Sequence, residues 1–184
     1  IIKELYFGGC ADDAGKFFQY DKYVILYNNS PVEADASKYA FGMLCPTNSN
    51  MTSKWMKDGK LSYTDYMPMW AACWWFQGSV KIPAYSQIVV AMNGAVNHSA
   101  TVSNSVDLSH ADYVMYDPEV FDNAKSYPAP DASISTDHYL KTYLYGMGKA
   151  WPLSVTSPGF VVFAPEGTTT EAFVKNPDNI ETPA

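Results

Sequence analysis

The sequence predicts an all-β fold: a β-sandwich with long loop insertions and one or two short helices. Three observations carry that expectation. Apolar runs are short and rich in β-branched or aromatic residues, as in Tyr23–Tyr27 (YVILY) and residues 160–164 (FVVFA), which is strand chemistry. Turn-forming residues separate the runs: Gly8-Gly9, Asn28-Asn29-Ser30-Pro31, Asn93-Gly94 and Pro158-Gly159, each able to reverse the chain. Helix signals are few. Many short strands joined by turn-rich links pack as sandwiches.

The elements follow in order. Residues 1–7 (IIKELYF) alternate in part, with Ile1, Leu5 and Phe7 on one side and Ile2, Glu4 and Tyr6 on the other. They read as a strand stopped by Gly8-Gly9. Residues 12–20 are polar and read as a loop. Tyr23–Tyr27 is a central buried strand, and residues 36–45 (ASKYAFGMLC) a weaker one closed by Pro46. Residues 47–65 carry polar and turn residues, including Asp58-Gly59, and read as a long surface insertion. Residues 70–76 are ambiguous between strand and short helix at this length. Pro83 marks a strand edge or turn, and residues 88–92 (IVVAM) form a strong strand. Ser109 with Asp112 matches the start of a capping box. Asp117-Pro118-Glu119 places a cap residue before a first-turn proline. Two helices of about two turns are expected there. Residues 127–131 read as a loop, residues 139–145 are again ambiguous, and residues 160–164 are a strand ended by Pro165. The sandwich is therefore expected over residues 1–165. Residues 166–184, polar and Thr-rich, read as a tail or a link to further chain, poorly ordered by themselves.

Composition narrows the function. The 184 residues carry 19 acidic and 12 basic side chains, a net charge of −7, and the sequence pI is about 4.8. No basic footprint exists to neutralise phosphates, so nucleic acid is not an expected partner. Aromatics reach 15% with 14 Tyr, 9 Phe and 5 Trp, a mix opposed to intrinsic disorder. The longest apolar run is residues 69–76 (MWAACWWF), far below the roughly 20 residues of a membrane span. The chain begins at Ile1 inside a strand pattern, and it reads as a piece of something longer.

Order of motifs carries a likeness. IIKELYFGG followed by DKYVILYNNS resembles the opening of lamin-tail-like domains, and IPAYSQIVVA (82–91) and SPGFVVFAP (157–165) are similar to their later landmarks. The combination YNNS, VNHSA, SVDLSHADYVMYD and SPGFVVF resembles a family of unknown function found on surface lipoproteins of Bacteroidota. The likeness spans residues 1–164. Ile25 and Lys3 depart from the lamin-tail pattern, where an acidic residue and Asn are usual. The resemblance implies an immunoglobulin-like sandwich of lamin-tail type, export, and a lipid anchor outside this chain at the outer membrane or cell surface of a Gram-negative bacterium. It also implies a non-enzymatic binding or assembly subunit, with an outer-membrane partner such as a TonB-dependent transporter. A glycan-binding module is the alternative, and a hydrolase the third reading.

The side chains name few sites. No G-x-S-x-G elbow is present, and the neighbours Ser109 and His110 are no triad. No catalytic residue and no cofactor is expected. His98, Asp107, His110 and Asp112 hold zinc-type donors, but the carboxylates read as caps and the histidines as solvated, so no metal is expected. The Asp12-Asp13 loop lacks the calcium-loop pattern. Trp55, Tyr63, Tyr66, Trp70, Trp74 and Trp75 cluster around the insertion. Exposed, they would form a recognition surface over residues 55–77; otherwise Trp74 and Trp75 divide between the core and the cover of the insertion. The loops of residues 95–131 are the next candidate. No CxxC spacing exists among the three cysteines. Cys73 is expected as a buried thiol, and Cys10 and Cys45 as the one feasible disulfide of an exported chain.

Overall fold

The structure is a computed structural model that describes residues 1–45, 56–62, 65, 67–121, 124, 127–145 and 159–181. The strands are β1 (Ile2–Tyr6), β2 (Cys10–Ala11), β3 (Phe17–Phe18), β4 (Tyr23–Tyr27), β5 (Ala34–Asp35), β6 (Ala40–Leu44), β7 (Met56–Lys57) and β8 (Lys60–Leu61). They continue with β9 (Met69–Trp75), β10 (Lys81–Ile82), β11 (Gln87–Ala91), β12 (Tyr113–Val114), β13 (Lys141–Leu144), β14 (Gly159–Phe163) and β15 (Ile180–Glu181). One α-helix, α1 (Thr170–Lys175), stands among the described residues. The protein is all-β with two principal sheets, the class the sequence predicts. The chain divides into two compact units, Ile1–Ser37 with Phe76–Lys141, and Lys38–Trp75 with Thr142–Ala184.

The first unit is built on a sheet of order β1-β4-β11-β12. β4 pairs antiparallel with both β1 and β11, while β11 and β12 run parallel. Alternation decides the faces: Val24 and Leu26 are buried, and Tyr23, Ile25 and Tyr27 are half-buried. β4 is therefore apolar on both sides but enclosed on one. β1 is an edge strand with a register shift between Ile2 and Glu4, and Lys3 stands at it, two devices that blunt an open edge. Ala91, Ala95, Leu108, Ala111, Val114 and Ile134 form the core against β11 and β12.

The second unit is built on the order β13-β9-β6-β14, with β15 parallel to β9. Residues 70–76, ambiguous by sequence, belong to strand β9. β6 opposite it is buried from Ala40 to Met43. Its pairing shifts register between Gly42 and Met43, where Ala71 holds a left-handed φ of 70°. A Cβ on Gly42 would stand 2.9 Å from Met69 Sδ, so a larger residue there would push the Met69 side chain aside. Within the expected insertion, β7 and β8 form a hairpin around Asp58-Gly59, both at positive φ, the turn that such a dipeptide favours.

Four expectations are corrected. No helix follows Ser109. Asp107 Oδ1 accepts from Ser109 N and Oγ at 2.9 and 2.6 Å, and Asp112 Oδ2 accepts from Val89 N at 2.8 Å, so both carboxylates serve other backbone. Asp117 makes a single turn, its carbonyl accepting from Val120 N and Phe121 N. The expected disordered tail instead carries α1, where Thr169 Oγ1 accepts from Ala172 N at 3.1 Å and Val174 is fully buried. Cys10, Cys45 and Cys73 are all free thiols, so the expected Cys10–Cys45 bridge is not formed. Cys10 belongs to the first unit and Cys45 to the second.

Candidate functional site

The expected aromatic surface is largely core where it is described. Trp74 is fully buried. Trp70 and Trp75 are half-buried on β9, opposite Met43 and Ala40, and Trp75 packs against the cluster of Ala40, Met69, Cys73, Tyr145 and Val174. Trp55, Tyr63 and Tyr66 lie outside the described residues.

The metal-type donors are dispersed. His98 is buried rather than solvated, with Nε2 3.0 Å from Gly94 O; burial holds its pKa below the ordinary value despite Asp21 and Asp107 nearby. Asp107 and Asp112 are committed as described above. Among the described residues no three such donors converge on one point. Asp12 Oδ1 accepts from Ala14 N and Lys16 N, and Asp13 Oδ1 from Ser103 N, so one carboxylate closes its own turn and the other ties the loop to Ser103. Burial, then Asp21, pushes the Cys10 thiol up, and burial pushes Cys73 far up.

A candidate site instead forms in the first unit around Gln77. The turn Thr136–His138 lies against β12, with Leu140 N donating to Val114 O at 2.9 Å. Gln77 Nε2 donates to Tyr139 O at 2.6 Å and reaches Thr136 O at 3.4 Å. This fixes its amide between two shallow clefts that both include it. The first cleft, about 220 Å³, is lined by Gln77, Tyr116, Asp117, Pro118, Glu119, Thr136, Tyr139 and Lys141. Tyr116 and Tyr139 meet edge to face at 5.5 Å. Lys141 Nζ lies 3.3 Å from Glu119 Oε2. The second, about 270 Å³, is lined by Gln77, Gly78, Ser79, Val80, Tyr113, Asp137 and His138. There Tyr113 and His138 stack at 4.8 Å. His138 Nδ1 donates to Asp112 O at 2.8 Å, which orients the ring. Burial, then Asp112 and Asp137, raises the Tyr113 phenol. A hydrogen bond from Ser135 holds the Asp137 carboxyl low.

Sequence reasoning missed this site. Its rings are spread over residues 113–139, and only their convergence on Gln77 makes a site. Gln77 ends the expected recognition region, and Tyr113 and Tyr116 fall within the second-choice loops of residues 95–131. A third groove, about 320 Å³, lies in the second unit among Leu44, Met67, Met69, Val161, Phe163, Phe173 and Asn179. It is apolar, and the Asn179 amide is spent on Phe173 O at 2.9 Å, so few polar groups remain to orient a ligand.

The fold and these clefts define an all-β protein with polar, aromatic clefts on one of its two units. Residues 84–183, more than half of the chain, match the sequence model of the family described as "Protein of unknown function (DUF4876)", and the chain belongs to that family. It is similar to the crystal structure of a DUF4876 family protein from Bacteroides thetaiotaomicron, with a TM-score of 0.66 and 19% identity. That likeness, which shows the fold, covers 98% of this chain and 49% of the other; the chain spans about half the length of that protein. None of the curated proteins matches it. The family match includes Tyr113, Tyr116, His138 and Tyr139, while Gln77 lies just before it.

Proposed function

We propose that the chain is a non-enzymatic binding subunit, exposed at the outer membrane of a Gram-negative bacterium and accessory to a TonB-dependent transporter. The observation that supports a binding role is the pair of clefts sharing Gln77. Half-buried rings and fixed polar groups line a concave surface, which is how a small number of oriented contacts gives specificity. Thiols pushed away from the thiolate form suit binding better than nucleophilic chemistry. The resemblance to lamin-tail-like domains of surface lipoproteins supports the location, with a lipid anchor carried outside this chain. The Bacteroides origin of the related structure agrees with it. The test is to purify the full-length protein from its own membranes. A transporter retained through mild detergent and salt washing is the expected result. A protein recovered alone from the soluble fraction would overturn the reading.

A further inference from the structure

We propose that the two clefts around Gln77 are adjacent subsites for a neutral oligosaccharide. The inference rests on the binding role proposed above and adds the ligand. Each cleft is lined by two rings and an exposed carboxylate: Tyr116 and Tyr139 with Glu119 in one, Tyr113 and His138 with Asp137 in the other. These rings are half-buried, so each keeps some surface for contact. Aromatic faces take the apolar C–H side of a pyranose, while side-chain oxygens and amides take its hydroxyls. Gln77 belongs to both clefts. Its Nε2 is held by Tyr139 O, and its Oε1 has no protein partner among the described residues, leaving an acceptor where the subsites meet. The same chemistry repeated on either side of one amide fits a ligand that itself repeats.

Charge selects within that class. Glu119 and Asp137 are exposed, and the lysine that lines the first cleft, Lys141, is already paired with Glu119. An anionic sugar would meet like charge, which costs affinity and rejects the wrong partner. A cationic peptide would meet the same carboxylates but leave the rings without an apolar sugar face, and the titration below separates the two.

Gly78 supplies a clean test. Gly78 lines the second cleft and a Cβ there meets nothing within 4 Å, so the leucine of Gly78→Leu starts in open space. The full chain is titrated with an immobilised panel of neutral plant, host and bacterial oligosaccharides, with oligogalacturonates of matching length, and with hexalysine. Expected are binding confined to neutral oligosaccharides of two or more residues, and at least a tenfold loss in Gly78→Leu and in Tyr116→Ala, both with unchanged circular dichroism. Preference for oligogalacturonate or hexalysine, retention in both variants, or no neutral oligosaccharide bound would each overturn the proposal. Co-purification of a transporter reads the assembly role separately. A retained partner without sugar binding sinks only this inference, and sugar binding without a partner sinks only the assembly role.

Discussion

Tyr85 is 61% exposed and holds a φ of 53° in the turn where Ser86 N donates to Pro83 O. That position of a type II turn favours glycine, and a side chain there costs about 1–2 kcal/mol. Tyr85→Gly is expected to stabilise the protein by about 0.5–1 kcal/mol in urea unfolding, since an exposed ring gives little burial in return; a loss of stability would show that the ring is held by contacts worth more than the strain. Lys22 carries the opposite lesson, a charge kept inside. It is fully buried, with Nζ 4.7 Å from the centre of the Phe7 ring. Burial lowers its pKa from 10.5 to about 8 against the pull of Asp21. Above pH 8 the unfolded chain keeps this proton while the folded chain releases it, so this group makes stability rise with pH between about 8 and 10. Tyr6 and Tyr23, both raised above 10, with Tyr23 at about 12, act in the opposite sense only above pH 10. The difference between the natural protein and Lys22→Met should therefore grow by about 2–3 kcal/mol across that window. A difference flat with pH would contradict a depressed Lys22.

Among the elements, α1 shows how a short helix persists. Six residues are too few to be stable alone. The Thr169 cap, the Glu171–Lys175 pair and the buried Val174 hold it, with Phe173 against Phe163 at 5.5 Å. The pair is exposed and contributes little, so burial dominates. Val174→Ala is expected to cost about 2 kcal/mol and Thr169→Ala about 1 kcal/mol, both read by urea unfolding; the reverse ranking would mean that the cap, not the core contact, fixes the helix. Nothing in the sequence of residues 166–184 announced this, because one buried valine in a Thr-rich segment makes no periodic pattern. The strands were legible for the opposite reason. YVILY alternates over a full element, and its Val24 and Leu26 are the buried pair. The helix signals at Ser109 and Asp117 failed because an Asp side chain serves a turn or a strand edge as readily as a helix cap. In the structure Asp112 bonds Val89 N.

Across the whole molecule, fold class was readable and the clefts around Gln77 were not. Strand chemistry is local, whereas the clefts join Gln77–Val80, Tyr113–Glu119 and Thr136–Lys141, segments brought together only by the chain's return beside β12. The tryptophans left two readings open for a related reason. A dense aromatic run such as WAACWWF reads equally as an exposed shelf or a core strand, and where described it is strand β9, with Trp74 wholly enclosed. The net charge of −7 points the same way as the clefts, away from anionic ligands. Hydrogen exchange on the full-length protein, with and without its captured ligand or partner, tests most directly where recognition occurs. The account expects added protection in residues 77–80, 113–119 and 136–141. Protection confined to residues 56–75, with these three segments unchanged, would return recognition to the aromatic insertion and contradict it.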